Sequence, residues 1–89
     1  MNTLLVSYDL YKPGQGYQVL YETLKSFGTW WHCLDSVWIV RTSYSATQVR
    51  DQLAHHIDNN DRLLVVSLTG QSGWSGFDPK CSTWLKENL

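Results

Sequence analysis

The sequence predicts one small α+β domain made of four strands, two crossover helices and a short final helix. The chain has 89 residues, which is below the size at which a core divides into separate domains. Runs of β-branched and aromatic residues alternate with stretches in which apolar residues recur every three or four positions, typical of strands and amphipathic helices respectively. With 43% hydrophobic and 17% charged residues, the composition excludes an intrinsically disordered chain.

The first two elements are a strand and a helix. Residues 3–10 form an apolar run typical of a central strand, and the Gly/Pro-containing segment 12–16 ends it. An apolar stripe then predicts a helix. Its members are Tyr17, Leu20, Tyr21, Leu24 and Phe27. Gly28 follows the stripe, where a left-handed C-terminal cap is expected.

The next elements are two strands, a helix and a fourth strand. Residues 29–34 and 37–42 are rich in Trp, Val, Ile and Thr, and Asp35-Ser36 between them predicts a tight turn or bulge. Ser45 and Gln48 match a capping box that opens the second helix. Residues 62–69 are a second β-branched apolar run, which predicts the last strand.

The C-terminal part predicts a loop and a short helix. Residues 70–76 are rich in Gly and Ser around Trp74, and Asp78-Pro79 predicts an N-cap followed by Pro in the first turn. Residues 80–88 would form the helix. Its buried side would carry Cys81, Trp84 and Leu85.

This order of elements predicts a ferredoxin-like βαββαβ sandwich, because right-handed crossovers place both central helices on one face of an antiparallel four-stranded sheet. The single domain would span residues 1–89, with its core in residues 3–69 and a C-terminal extension in residues 70–89. The final helix or a second subunit would shield the other face of the sheet. Four rings are expected to form a dimer or partner surface there: Trp30, Trp31, Trp38 and Trp74.

Charge and cysteine content limit the partners and the compartment. Seven basic and eight acidic residues give a net charge of −1, which excludes a strongly basic nucleic-acid binder. No secretory signal is visible, and the longest apolar run is too short to span a membrane. Cys33 and Cys81 form no CxxC and no metal-binding spacing, so the sequence favours free thiols in a reducing cytoplasm.

Asp9 is the first candidate for chemistry, because it stands near a strand end beside a glycine loop. A carboxylate there is well placed to hold a divalent cation. One carboxylate alone makes a poor metal site, but a two-fold dimer could bring two together. The alternative is that Asp9 caps the loop backbone.

The other candidates are cations and rings. Lys12, Arg41 and Arg62 are possible phosphate contacts; the alternative is that they are solvated surface charges, which is favoured for Arg62 because its charge at a strand start would protect the sheet edge. Tyr8 and Tyr11 flank Asp9 and could stack on bases, or belong to the core. The sequence contains no nucleophile triad, Walker loop, Rossmann fingerprint or HExxH motif.

Three segments carry a resemblance to a known family. Residues 4–10 (LLVSYDL), residues 34–38 (LDSVW) and the Asp-containing turn before residues 62–68 resemble the second core CRISPR-associated protein, a small dimeric adaptation nuclease. The virulence-associated protein D family fits the same plan. The chain is also similar to short bacterial proteins labelled SinR family; that label implies a helix-turn-helix, and no such motif is visible here.

The resemblance implies a homodimer with a ferredoxin-like fold and hydrolysis of RNA or DNA phosphodiesters that depends on Mg²⁺ or Mn²⁺. Asp9 would then be the metal ligand at the two-fold axis, Lys12 would neutralise the phosphate, and Ser36 would be the turn serine near the cleft. The family usually has an Arg soon after its Tyr-Asp, whereas Lys12 stands here. The departures and the low charge favour the alternative, a non-catalytic dimeric scaffold or partner-binding module, including a toxin–antitoxin component.

Overall fold

The predicted elements all form in a computed structural model that describes residues 1–12 and 16–89. In chain order they are β1 (Asn2–Asp9), α1 (Gln18–Ser26), β2 (Thr29–Leu34), β3 (Val37–Thr42), α2 (Ala46–Ala54), β4 (Arg62–Ser67) and α3 (Pro79–Asn88). The predicted loop 12–16 lies partly outside the described residues. Within the described part of the chain, no helix is long and apolar enough to cross a membrane.

The four strands form one antiparallel sheet in the order β2-β3-β1-β4. The most apolar strand, β1, is central, and Val6 lies opposite Trp38 of β3 and Val65 of β4. Strand order and direction are those of the ferredoxin-like α+β fold, so the predicted fold class is confirmed.

The main core lies between the sheet and helices α1 and α2. Because alternate strand residues project to opposite faces, Leu4, Val6 and Tyr8 of β1 share the helix-facing side with Trp38 and Val40 of β3. The helices close this layer with the buried residues Leu20, Leu24, Val49 and Leu53. Apolar burial of this kind is the largest favourable term in folding.

Helix α3 covers part of the other sheet face, over β2 and β3. Trp31, Ile39 and Leu85 form a second buried cluster there. The indole N–H of Trp31 donates to the Cys81 carbonyl at 3.1 Å, and that of Trp84 donates to Thr29 Oγ1 at 2.9 Å. The final helix therefore provides the expected cover for this half of the sheet.

Cys33 of β2 and Cys81 of α3 form a disulfide with an S–S distance of 2.01 Å. The expectation of two free thiols is therefore wrong. Packing of α3 on β2 brings the two Cα atoms to 6.5 Å, within the range that a disulfide spans. Because the two cysteines are 48 residues apart in sequence, local spacing could not predict that they lie close together.

The expected four-tryptophan surface does not form within this chain. Trp31 and Trp38 are only 4% and 2% exposed, whereas Trp30 and Trp74 are 40% and 39% exposed. Trp30 and Trp31 are consecutive in β2 and so project to opposite faces. The chain thus buries two of the rings and leaves Trp30 exposed on the α1 side and Trp74 on the α3 side.

The helix starts follow the sequence prediction, whereas the end of α1 differs from it. Ser45 Oγ accepts from the Gln48 N–H at 3.1 Å, and Gln48 Oε1 accepts from the Ser45 N–H at 2.9 Å, which completes the capping box. Helix α1 instead ends in right-handed geometry at Phe27, and Gly28 has φ 150°. A Cβ at Gly28 would overlap the Arg41 carbonyl oxygen, so close approach of β2 to β3 requires glycine.

Candidate functional site

Asp9 is the last residue of β1 and is exposed. It lies opposite Arg62 of β4 in the strand register. Both line a shallow depression of about 210 Å³ together with Ser7 and Leu64. The strand end thus presents one acidic and one basic residue on neighbouring strands, both in contact with solvent.

The residues around Asp9 in a single chain do not fit a divalent metal ion. Mg²⁺ and Mn²⁺ prefer several oxygen ligands, usually with more than one carboxylate or a substrate phosphate. Among residues 1–12 and 16–89, no three His, Cys, Asp or Glu side chains cluster closely enough to hold a metal. Arg62, the strand partner of Asp9, further disfavours a second positive charge.

Tyr11 and Lys12 follow Asp9 in a loop whose backbone N–H groups are hydrogen-bonded to side chains elsewhere in the fold. The Tyr11 N–H donates to Asp61 Oδ1 at 2.7 Å, and the Lys12 N–H donates to the Tyr17 hydroxyl at 3.4 Å. Both side chains are exposed, with Tyr11 at 64%. They remain on the same end of the sheet as Asp9, where a phosphate chain could reach them.

Tyr8 and Ser36 are brought together on the β3 side of that sheet end. The Tyr8 N–H donates to the Ser36 carbonyl at 3.2 Å, so the turn serine lies beside β1. The Tyr8 side chain, however, projects to the face opposite Asp9 and is buried. Burial, opposed by the hydrogen bond from Trp38, raises the pKa of the Tyr8 hydroxyl above its ordinary value.

Arg41 lies at the other end of the sheet. It is opposite Thr3 in the β1–β3 register and opposite Thr29 in the β2–β3 register. Since Thr3 and Asp9 are six residues apart on β1, the rise per residue separates Arg41 from Asp9 by about 20 Å. Arg41 therefore does not join the other candidate residues in one cleft.

Asp61 is the carboxylate with the densest set of hydrogen bonds near this end, and the sequence did not single it out as a site residue. It accepts from the N–H groups of Tyr11 and Asp58 and, at 3.0 Å, from the Tyr17 hydroxyl. Burial acts to raise the pKa of Asp61, but these hydrogen bonds outweigh it and hold the pKa below its ordinary value. Asp61 ties the loop after β1 to the turn before β4, a structural role.

The half of the second sheet face that α3 leaves uncovered is apolar. We refer to it as the open half; it consists of Leu5 and Ser7 of β1 and Leu64 and Val66 of β4. Leu64 is 57% exposed and Val66 is 37% exposed. A groove of about 320 Å³ runs from Leu5 under the loop that carries Trp74. Asp9 and Arg62 lie at one end of this surface.

A second depression, of about 470 Å³, opens on the α1 side of the sheet. We refer to it as the aromatic cleft. It is lined by Tyr8, Gln18, Tyr21, Lys25, Trp30, His32, Asp35 and Trp38. Its rings come from three strands and a helix, so local sequence patterns do not predict it; the alternation of Trp30 and His32 on β2 is the one local signal.

The comparisons with known proteins leave the fold without an assigned family. No protein-family model matches this chain, and no solved structure gives a significant match. The similarity to the CRISPR-associated and virulence-associated families thus remains a resemblance of three segments. Function is therefore inferred from the geometry of the sites.

Proposed function

We propose that this protein is a homodimeric binding module in which a second copy packs on the open half of the sheet. The observation that carries the proposal is the exposure of the apolar residues Leu64 and Val66 on the sheet face opposite helices α1 and α2, beyond the part that α3 covers. Apolar strand residues that face water are a common mark of an interface. This is the scaffold alternative raised by the low charge of the sequence.

The charges beside the open half support a second copy as the occupant. Asp9 and Arg62 stand side by side at one end of it. A two-fold axis makes each surface meet its own copy, so Asp9 of one chain can face Arg62 of the other. A surface with one acid and one base is complementary to itself, which a surface with charges of a single sign is not.

The test of the dimer is Leu64→Lys, measured by sedimentation equilibrium. We expect the wild type to form a concentration-dependent dimer and Leu64→Lys to be monomeric with an unchanged circular dichroism spectrum. Val19→Lys is the matched control, because Val19 is 54% exposed on α1, away from the open half, and should leave the dimer intact. A wild type that stays monomeric at high concentration would contradict the proposal and favour a heterologous protein partner, such as a toxin–antitoxin component.

Nuclease activity is the second candidate, and the position of Asp9 favours it. In this alternative the two-fold axis passes through the strand end that carries Asp9, so that Asp9 faces its own copy instead of Arg62 of the other chain and gains the second carboxylate that a single chain lacks. Mg²⁺ or Mn²⁺ between two Asp9 side chains would supply the charge needed at a phosphodiester, with Lys12 contacting the phosphate and Ser36 nearby. RNA and DNA are both candidate substrates.

The activity is tested by incubating the dimer with single-stranded RNA and DNA in Mg²⁺ or Mn²⁺. The nuclease proposal expects cleavage that Asp9→Asn abolishes while the dimer persists. Asp51→Asn, an exposed carboxylate on α2, is the matched control and should cleave normally. Absence of cleavage with every metal and substrate, in a protein that does dimerise, would leave the binding module as the function.

The compartment proposed from the sequence is the cytoplasm. That proposal drew partly on free thiols, and the Cys33–Cys81 disulfide removes this part of its support, because structural disulfides are typical of oxidising compartments.

A further inference from the structure

We propose that the aromatic cleft binds a nucleoside monophosphate group, with the base stacked on Trp30 and the phosphate near Lys25. Nothing in the resemblance or in the proposed dimer assigns a ligand to this place. The shared chemistry is a planar heterocycle that carries an anion, and its source is either a free mononucleotide or one nucleotide of a single strand.

The floor of the cleft is a rigid set of rings centred on Trp38. The His32 ring stacks on Trp38 with centroids 4.0 Å apart and planes 12° apart. The Trp38 indole N–H donates to the Tyr8 hydroxyl at 3.0 Å, and that hydroxyl donates to the Asp35 carbonyl at 3.4 Å. Since Trp38 is only 2% exposed, the floor is held by the core and is already formed.

Trp30 supplies the ring that is accessible for stacking. It is 40% exposed, and its centroid lies 5.4 Å from that of Trp38 at an angle of 48°. The two rings are in direct contact and leave no room for a base between them, so a base would stack on the solvent-facing side of Trp30. Tyr21 completes the wall, nearly parallel to Trp38 at 16°. Aromatic side chains on one wall are what a base needs, because every base has a π face.

The polar groups of the cleft match a base and a phosphate. Lys25 Nζ lies over the face of the Trp30 ring, 5.4 Å from its centroid. A base that stacks on this face would displace the flexible Lys25 side chain to the ring edge, where the ammonium can pair with the attached phosphate. His32 Nδ1 lies 3.1 Å from the Val37 carbonyl, which can only accept, so Nδ1 carries hydrogen and Nε2 of the neutral ring is left as an acceptor. Asp35 adds a carboxylate for the amino or imino N–H groups of a base.

Volume and position agree with this ligand. About 470 Å³ is within the range of small-molecule sites and holds one nucleotide. The cleft lies on the face of the sheet opposite the open half, so it stays accessible in the proposed dimer. The inference therefore does not rest on the proposed function, and its failure leaves the dimer untouched.

The test uses the full chain titrated with the four ribonucleoside 5′-monophosphates, the matching nucleosides and an eight-nucleotide single strand. Indole N–H resonances of the five tryptophans report the position of binding without any mutation. We expect the signals of Trp30 and Trp38 to shift and that of Trp74 to stay. Nucleotides should bind more tightly than nucleosides, with an advantage that declines as salt is raised.

Two variants and a matched control test the roles of the ring and the cation. Trp30→Ala should weaken nucleotide binding at least about fivefold, because stacking on an aromatic side chain contributes about 1–3 kcal/mol per base. Lys25→Gln should reduce nucleotide affinity to that of the nucleoside. Trp74→Ala removes an equally exposed indole, 39% against 40%, from the other face and should bind as the wild type does.

The results distinguish a free mononucleotide from one nucleotide of a single strand, and they can overturn the proposal. Equal affinity for a mononucleotide and for the strand indicates a free nucleotide, whereas a much tighter strand indicates single-stranded nucleic acid. Absence of binding at millimolar concentrations overturns the site. The proposal is also overturned if Trp30→Ala and Trp74→Ala weaken nucleotide binding equally. It is overturned as well if Lys25→Gln binds nucleotides with the affinity of the wild type.

Discussion

Trp38 belongs both to the main core and to the base of a surface cleft. Its ring is buried with the main core, yet its N–H and its stacking partner His32 shape the floor of the aromatic cleft. The alternation of β3 places Trp38 on one face, but only the packing shows which ring covers it. A buried tryptophan also needs a partner for its N–H, which Tyr8 provides.

Gly28 is the residue at which the backbone requires glycine most strongly. Gly28→Ala should destabilise the protein by about 1–3 kcal/mol, because the new Cβ would overlap the Arg41 carbonyl and force β2 away from β3. The free energy of unfolding is measured by urea titration. Gly73→Ala, with no atom within 4 Å of its Cβ position, is the control and should change stability little. Equal effects of the two substitutions would contradict this role of Gly28.

Asp61 gives the stability of the protein a specific dependence on pH. Its pKa is lower in the folded chain than its ordinary value of 3.8, so the folded state binds fewer protons and stability rises with pH across this range. The contribution is present above about pH 4 and is lost as the pH falls through the folded pKa. Asp61→Asn should lower stability near neutral pH and flatten this acid limb.

The prediction is checked by measuring the urea midpoint of the wild type and of Asp61→Asn at several pH values, from neutral pH down into the acidic range where Asp61 becomes protonated. Asp51→Asn is the control, because its carboxylate pairs with neighbouring Arg50 on the surface, and such exposed pairs contribute little. If Asp61→Asn kept the wild-type slope below pH 4, the hydrogen bonds from Tyr11, Asp58 and Tyr17 would not be the origin of the shift.

At the scale of elements, α3 depends strongly on its contacts with the sheet. It has ten residues, and an isolated helix of this length is marginal in water. Packing of Leu85 and Trp84 over β2 and the disulfide to Cys33 hold it against the sheet. The loop that precedes it has few apolar residues of its own, so α3 is the element whose docking decides how much of the second face is covered.

Removal of the disulfide should therefore be costly. Cys33→Ser should lower the free energy of unfolding by about 3–4 kcal/mol, because a bridge across a loop of 48 residues restricts the unfolded chain strongly. Urea titration with and without reductant checks this: reductant should shift the wild type to the variant's midpoint and leave Cys33→Ser unchanged. Two titratable thiols in the unreduced, unfolded wild type would contradict the disulfide itself.

At the scale of the whole molecule, the two sheet faces differ in how completely they are covered. The helix-facing side has a complete core and carries the aromatic cleft at its margin, whereas the second face is covered only where α3 lies. The proposed functions divide in the same way, with the dimer on the open half and the nucleotide in the cleft. Substitutions on the open half should leave nucleotide binding unchanged, and substitutions in the aromatic cleft should leave the dimer unchanged.

The dimer has a consequence for the stability of the whole molecule. If a second copy covers the open half, association stabilises the folded state by mass action, and the thermal midpoint of the wild type should rise with protein concentration. Leu64→Lys should melt at a midpoint that is independent of concentration. A wild-type midpoint that does not vary between micromolar and millimolar protein would contradict dimerisation.

Local physical chemistry in the sequence determined the elements and their order. The stripe from Leu20 to Phe27, the Ser45–Gln48 capping box and the alternation in residues 37–42 each depend on neighbours within a few positions, which is why they could be recognised. The order of the elements together with the handedness of crossovers then led to the ferredoxin-like sheet.

Contacts between distant residues decided the rest. The Cys33–Cys81 bond, the burial of Trp31 under α3 and the position of Arg41 far from Asp9 all depend on which face each strand presents and on where the final helix packs. The aromatic cleft likewise needs β1, β2, β3 and α1 in place before its rings meet. Hydrophobic periodicity specifies that a face is buried, but not against what, because burial is non-directional and the partner is set by the packing of the whole chain.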